Sequence, residues 1–173
     1  LPEHKSAKYL GRVFQDPMTG TAAGMQIEEN LALAARRGEF RFLKPGITHK
    51  ERKYYQERLA TLGLGLENRM TTKVRLLSGG QRQALTLLMA TLKKPSILLL
   101  DEHTAAKVLE ATERVVKENH LTTMMITHNM KDAIVHGNRL IMMYDGHIIY
   151  DVSGEEKKKL KVSDLLEKFE QAS

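Results

Sequence analysis

Apolar residues change their period several times along this chain, and each change marks an expected element. Residues 97–100 form an unbroken apolar run after Pro95, the pattern of a parallel strand buried on both faces. A short run at 9–14 and a Thr-, Met- and Ile-rich run at 121–127 read as further strands. Elsewhere the spacing is helical. Ile27, Leu31, Ala34 and Ala35 share one face of a helix over 25–37 that Gly38 ends. Tyr55, Leu59 and Leu62 do so in a highly charged helix that Thr48 and Glu51 open as a capping box and Gly63 stops. Val108, Leu109, Thr112, Val115 and Val116 line a third. Two strand-like runs, 139–144 and 147–152, flank Asp145-Gly146, a two-residue hairpin turn. Ser153 and Glu156 read as another capping-box pair, and 162–171 as a last amphipathic helix with Leu165, Leu166 and Phe169 apolar. The lysines at 157, 158, 159 and 161 read as a solvated face, with lipid headgroups as the alternative contact.

Composition narrows the class. A chain of 173 residues with 42% apolar content buries one substantial core, so one domain is expected. Without cysteine it has neither a disulfide framework nor a thiolate metal site, which suits a reducing cytoplasm. The net charge of +6 comes from Lys and Arg interleaved with Asp and Glu, so a solvated surface is expected and no nucleic-acid partner. No stretch reaches the length of a membrane-spanning helix, and the start lacks a signal-peptide pattern. A membrane role would therefore run through partner subunits.

The chemistry is concentrated between Leu76 and Glu102. Ser78 can cap the helix that follows, Gln81 can cap reciprocally, and Gly79 and Gly80 keep side chains away from the exposed amides, so this helix start attracts anions. The apolar strand then ends in Asp101-Glu102, two carboxylates at the sheet edge where open α/β folds bind ligands. Leu77-Ser78-Gly79-Gly80-Gln81 resembles the signature motif of ABC-type ATPases, and 97–102 resembles their Walker B strand with its catalytic glutamate. Val13-Phe14-Gln15-Asp16-Pro17 is similar to their Q-loop, in which Pro17 holds a turn, and Thr127-His128-Asn129 to their switch loop, with Asn129 as the N-cap of the next helix.

That resemblance implies an α/β fold of the P-loop NTPase type: a parallel sheet with flanking helices, a helical subdomain at about 25–92 facing membrane subunits, and a C-terminal β-hairpin. Residues 1–173 would be a partial domain, incomplete at its N-terminus, because no Gly-x-x-x-x-Gly-Lys loop is present. The family's D-loop is also missing where Ala106 runs into Lys107, so the intact protein is expected to carry both loops, with this chain either a fragment or the ordered part of a longer polypeptide, which a spatial gap between those two residues would support. As it stands the chain is expected to be inactive.

The implied chemistry is ATP hydrolysis with Mg2+. Asp101 would hold magnesium through water, Glu102 would orient and deprotonate the attacking water, and His128 would contact the terminal phosphate. Gln15 would complete the magnesium coordination and sense the membrane partner. Ser78, Gly79, Gly80 and Gln81 would face the ATP held by a second ATPase subunit, identical or paralogous. The resemblance further implies transmembrane permease subunits as partners, a solute-binding protein indirectly, and a peripheral place on the cytoplasmic face of the membrane. Residues 101–106 and 127–130 look most like importer ATPases associated with tryptophan or tyrosine uptake. The alternatives are a soluble ABC ATPase of translation or DNA repair, or a non-catalytic interaction domain of the same descent.

Overall fold

In a computed structural model, which describes residues 9–16, 18–39, 46–101 and 106–172, three strands run parallel in the order β1 (Leu10–Val13), β2 (Ile97–Asp101) and β3 (Thr123–Ile126). Leu10 pairs with Ile97, and Leu99 with Met124. Alternate side chains point to opposite faces. On one face Val13, Leu98 and Leu100 pack against Leu87 and Ala90 of helix α3 (Gly79–Thr91) and Val115 of helix α4 (Ala106–Asn119). Gly11 is required there, since a β-carbon would lie 2.8 Å from the Ala90 carbonyl oxygen. The expectation that β2 is buried on both faces does not hold among the described residues. Ile97 is 39% and Met124 57% exposed, because the packed residues of α3 and α4 all meet the Leu98/Leu100 side.

A second apolar cluster is wholly helical. Helix α1 (Ile27–Ala35), helix α2 (His49–Ala60), the 3-10 turns Leu66–Asn68 and Val74–Leu76, and one side of α3 bury Ile27, Leu31, Tyr55, Leu59, Leu66, Val74, Leu85 and Leu88 together. The caps explain where these helices begin. Thr48 and Glu51 cap each other reciprocally at α2, and Gln26 and Glu29 do so at α1. The Thr48 backbone N–H, donating to Glu51 at 2.7 Å, holds that carboxyl below the ordinary glutamate range, helped by Arg36 at 2.9 Å. Ala106 and Lys107 are consecutive residues in the first turn of α4, so no spatial gap separates them.

Packing divides the chain between Ile126 and Thr127. The second unit pairs β4 (Arg139–Tyr144) with β5 (His147–Ser153) around Asp145 and Gly146, both at positive φ, with a bulge at Met142/Met143. Helices α5 (Met130–Val135) and α7 (Val162–Ala172) cover one face of this hairpin through Met130, Ile134 and Leu165, packed on Leu140, Met142, Tyr150 and Val152. Helix α6 (Gly154–Lys158) links β5 to α7.

Two expectations are corrected in this unit, while the last helix is amphipathic as expected. Ser153 makes no side-chain cap, because Gly154 turns the chain at φ +61 and gives its N–H to Asn138 O at 3.1 Å. Leu165 is buried, but Leu166 and Phe169 are largely exposed; Phe169 meets Tyr144 edge-on with ring centroids 5.2 Å apart. Lys157 is not on a solvated face. It is 3% exposed and donates to His136 O at 2.9 Å and to Ile134 O. Burial holds its ammonium below the ordinary lysine range. Among the described residues no helix is long and apolar enough to cross a membrane.

Candidate functional site

Ser78 has extended backbone and accepts the Gln81 N–H at 3.3 Å, while Gln81 Oε1 accepts the Ser78 N–H at 3.2 Å. This box leaves the amides at the first two positions of α3, Gly79 and Gly80, for an acceptor from outside. A β-carbon on Gly79 would meet nothing within 4 Å. Packing of the described residues thus gives no reason for glycine there.

The segment ahead of Ser78 is fixed by the segment that follows β1. Val74 N–H donates to Met25 O at 3.0 Å and Arg75 N–H to Ala23 O at 2.9 Å. Asn30, 1% exposed, closes the arrangement by accepting the Ala22 N–H at 2.8 Å and donating to Ala22 O at 3.1 Å and Gln26 O at 2.9 Å. Sequence reasoning missed Asn30, although it had a signal: a polar residue on the same helical stripe as Ile27, Leu31 and Ala34.

Gln15 and Asp101 leave the same edge of the sheet, since β1 and β2 are parallel neighbours with Val13 opposite Leu100. Gln15 is exposed in a bend that Asp16 stabilises, its Oδ1 accepting the Met18 N–H at 2.8 Å and its carbonyl the Thr19 N–H at 3.1 Å. Asp101 is half-exposed, with Arg12 Nη2 at 3.8 Å from its Oδ2 and the Arg12 guanidinium 4.5 Å from the centroid of Phe14. Arg12 was not foreseen. Among the described residues no group of three His, Asp or Glu could hold a metal. A lone carboxylate suits magnesium only where phosphates and water complete the coordination.

Among the described residues no hydrogen bond or ion pair joins Ser78 to Asp101. Helix α3 meets the sheet through Leu87 and Ala90, ~14–18 Å along its axis from Ser78 at 1.5 Å per residue. Pro17 and Glu102 lie outside the described residues. His128 belongs to the second unit, ahead of Asn129, which caps α5 by accepting the Lys131 N–H at 3.0 Å.

Residues 2–105 match the family described as ABC transporter. Over 99% of its length the chain is 44% identical to a tyrosine transport ATP-binding protein of Clostridioides difficile, of which it covers 71%. It is 30% identical over 82% of its length to the phosphate import ATP-binding protein PstB of Aeropyrum pernix, covering 57% of that protein. Among solved structures it resembles a dimeric ATP-binding cassette in a post-hydrolysis state with ADP and Pi: TM-score 0.70, 26% identity, 88% of this chain and 68% of that one. The ATP-binding subunit of another ABC transporter gives TM-score 0.76 at 16% identity, over 97% and 71% of the two chains, a likeness of fold.

Proposed function

This chain belongs to the ABC transporter ATP-binding family, and from that premise we propose that the intact protein hydrolyses ATP with magnesium to drive uptake of an amino acid, tyrosine first among the candidates. What carries the proposal is Gly79: a glycine in open space, beneath a satisfied cap, at the start of a helix whose later turns pack through Leu87 and Ala90 against the sheet that bears Asp101.

Each residue then has one task. Asp101 holds magnesium, which supplies neutralising charge at the phosphates. Glu102, the next residue, orients the attacking water and takes its proton. Gln15, leaving the same edge, completes that site and is the group a permease subunit would displace. His128 hydrogen-bonds the terminal phosphate. The offset of Ser78 along α3 from the residues that meet the sheet favours two different nucleotides, with the amides of Gly79 and Gly80 serving the ATP of a second subunit. Dimerisation is then part of catalysis, and the assembly is peripheral at the cytoplasmic face through its permease. The substrate class rests on the 44% identity to the tyrosine transport protein.

The full-length protein tests this by phosphate release and size-exclusion chromatography with ATP and magnesium. Glu102→Gln should bind ATP like the parent, hydrolyse it ~10²- to 10⁴-fold more slowly, and accumulate as a dimer. Near-normal turnover would remove Glu102 from this role, and a full-length parent that binds no ATP would sink the reading. With its permease in vesicles, ATP-driven uptake of phosphate and not tyrosine would overturn the substrate.

A further inference from the structure

Arg82, one turn into α3, has no part in the chemistry above, yet it touches both segments that flank it. Its Nη2 lies 3.4 Å from Val74 O, 3.2 Å from Arg75 O and 3.3 Å from Leu77 O. These carbonyls belong to the 3-10 turn Val74–Leu76 and its C-cap, Leu77, and Val74 O also accepts the Leu77 N–H at 3.0 Å; a cation is favoured at such a helical end. The other nitrogen, Nη1, donates to Met18 Sδ in the turn that follows Gln15. One helical turn further along α3, Thr86 supports the far end of that turn: a β-carbon on Gly20 would lie 3.0 Å from Thr86 Cγ2. A guanidinium presents its donors in a rigid planar fork and stays charged, so the two ends of one group reach two loops far apart in sequence.

We propose that Arg82 is a positioning residue that clamps the 16–20 turn to the 3-10 turn ahead of Ser78, so that the two loops shift together. Its functional consequence rests on the ATPase reading, in which it keeps Gln15 and the Ser78 helix start in register; the clamp itself does not depend on that reading.

Amide hydrogen exchange on the full-length protein tests the clamp without nucleotide. The reporters are the amides of Thr19, Leu76 and Leu77, bonded to Asp16 O, Lys73 O and Val74 O. Arg82→Ala should speed all three by about tenfold, as expected for lost local hydrogen bonds, and leave residues 86–91 of α3 unchanged. Arg82→Lys, with one nitrogen in place of two, should restore slow exchange at Leu76 and Leu77 and leave Thr19 fast. Acceleration in one loop alone in Arg82→Ala, or throughout α3, overturns the proposal. If Arg82→Ala does not fold, Arg82→Lys decides by itself, and slow exchange at all three amides overturns the clamp. Phosphate release is read separately. A hydrolysing parent whose Arg82→Lys variant loses about tenfold in kcat with KM little changed supports the register role, whereas an unchanged kcat ends it. A parent without hydrolysis fails the ATPase reading and leaves the exchange result standing.

Discussion

The helix that starts at Gly79 and the one that starts at Met130 both offer a capped N-terminus, but they are held in opposite ways. Helix α3 is 13 residues long and buries Ala84, Leu85, Leu87, Leu88 and Ala90, so its start is placed by a packed side. Helix α5 has six residues, none fully buried, and six residues are too few to hold a helix by propensity. It is fixed at its ends, by Asn129 at the first turn and by the buried Lys157 ammonium on the carbonyls of Ile134 and His136. Where apolar surface is scarce, a few strong polar contacts replace it. The cost is that a single polar substitution can release the element.

The sharpest way to break this contrast is Leu88→Ala in α3, which should cost the first unit ~2–5 kcal/mol, as for other buried leucines, read as a lower urea midpoint by circular dichroism. A cost under about 1 kcal/mol would show that packing does not place α3. Next comes Lys157→Met, which keeps the apolar stem and strands two carbonyls. Exchange of the amides in 130–136 should accelerate by an amount equivalent to ~1–3 kcal/mol, with α3 unaffected; unchanged exchange would mean α5 does not need the lysine. Smaller still are the caps. Ser78→Ala and Asn129→Ala each remove about 0.5–2 kcal/mol, but only the second should unravel its helix, because α3 has fully buried residues behind it and α5 only partly buried ones. Equal fraying by exchange would erase the difference.

The smallest effects are those of pH, and they separate the units. The Glu51 carboxyl is lowered chiefly by the Thr48 amide, so its stabilisation of the first unit is complete above the ordinary glutamate value of ~4.3 and is lost as pH falls through the lower folded value. Glu51→Gln should abolish that acid-side slope. The folded pKa of Lys157 is lowered by burial, so the unfolded chain holds the proton longer. Stability of the second unit should therefore rise with pH from that folded value towards ~10.4, and Lys157→Met should remove the rise.

Features that were legible in the sequence are those written in neighbouring residues. Ser78 with Gln81, Thr48 with Glu51, and Asp145 with Gly146 each act within three positions, and each appears in the structure as expected. Lys157 stood in a run of lysines and read as solvated, because its acceptors at Ile134 and His136 belong to another element. Arg82 and Met18 meet across most of the helical region, a pairing no local pattern announces. The Ser153 pattern failed for a related reason: the residue is the last of β5, opposite Arg139, and Gly154 redirects the chain before its hydroxyl can serve. At the candidate site, Gln15 and Asp101 follow from strand ends, whereas Asn30 and Arg12 act through neighbours that only the fold supplies.

The register of β1 sets a timetable as well as a shape. The hairpin of the second unit joins Tyr144 to His147, and such local closures take ~1–10 μs. Leu10 must instead wait for Ile97. At the ~5–20 residues per second of translation, that leaves β1 without β2 on the ribosome for roughly 4–17 s. Throughout that interval the donors and acceptors on its β2 side are an open edge, which another nascent chain can join.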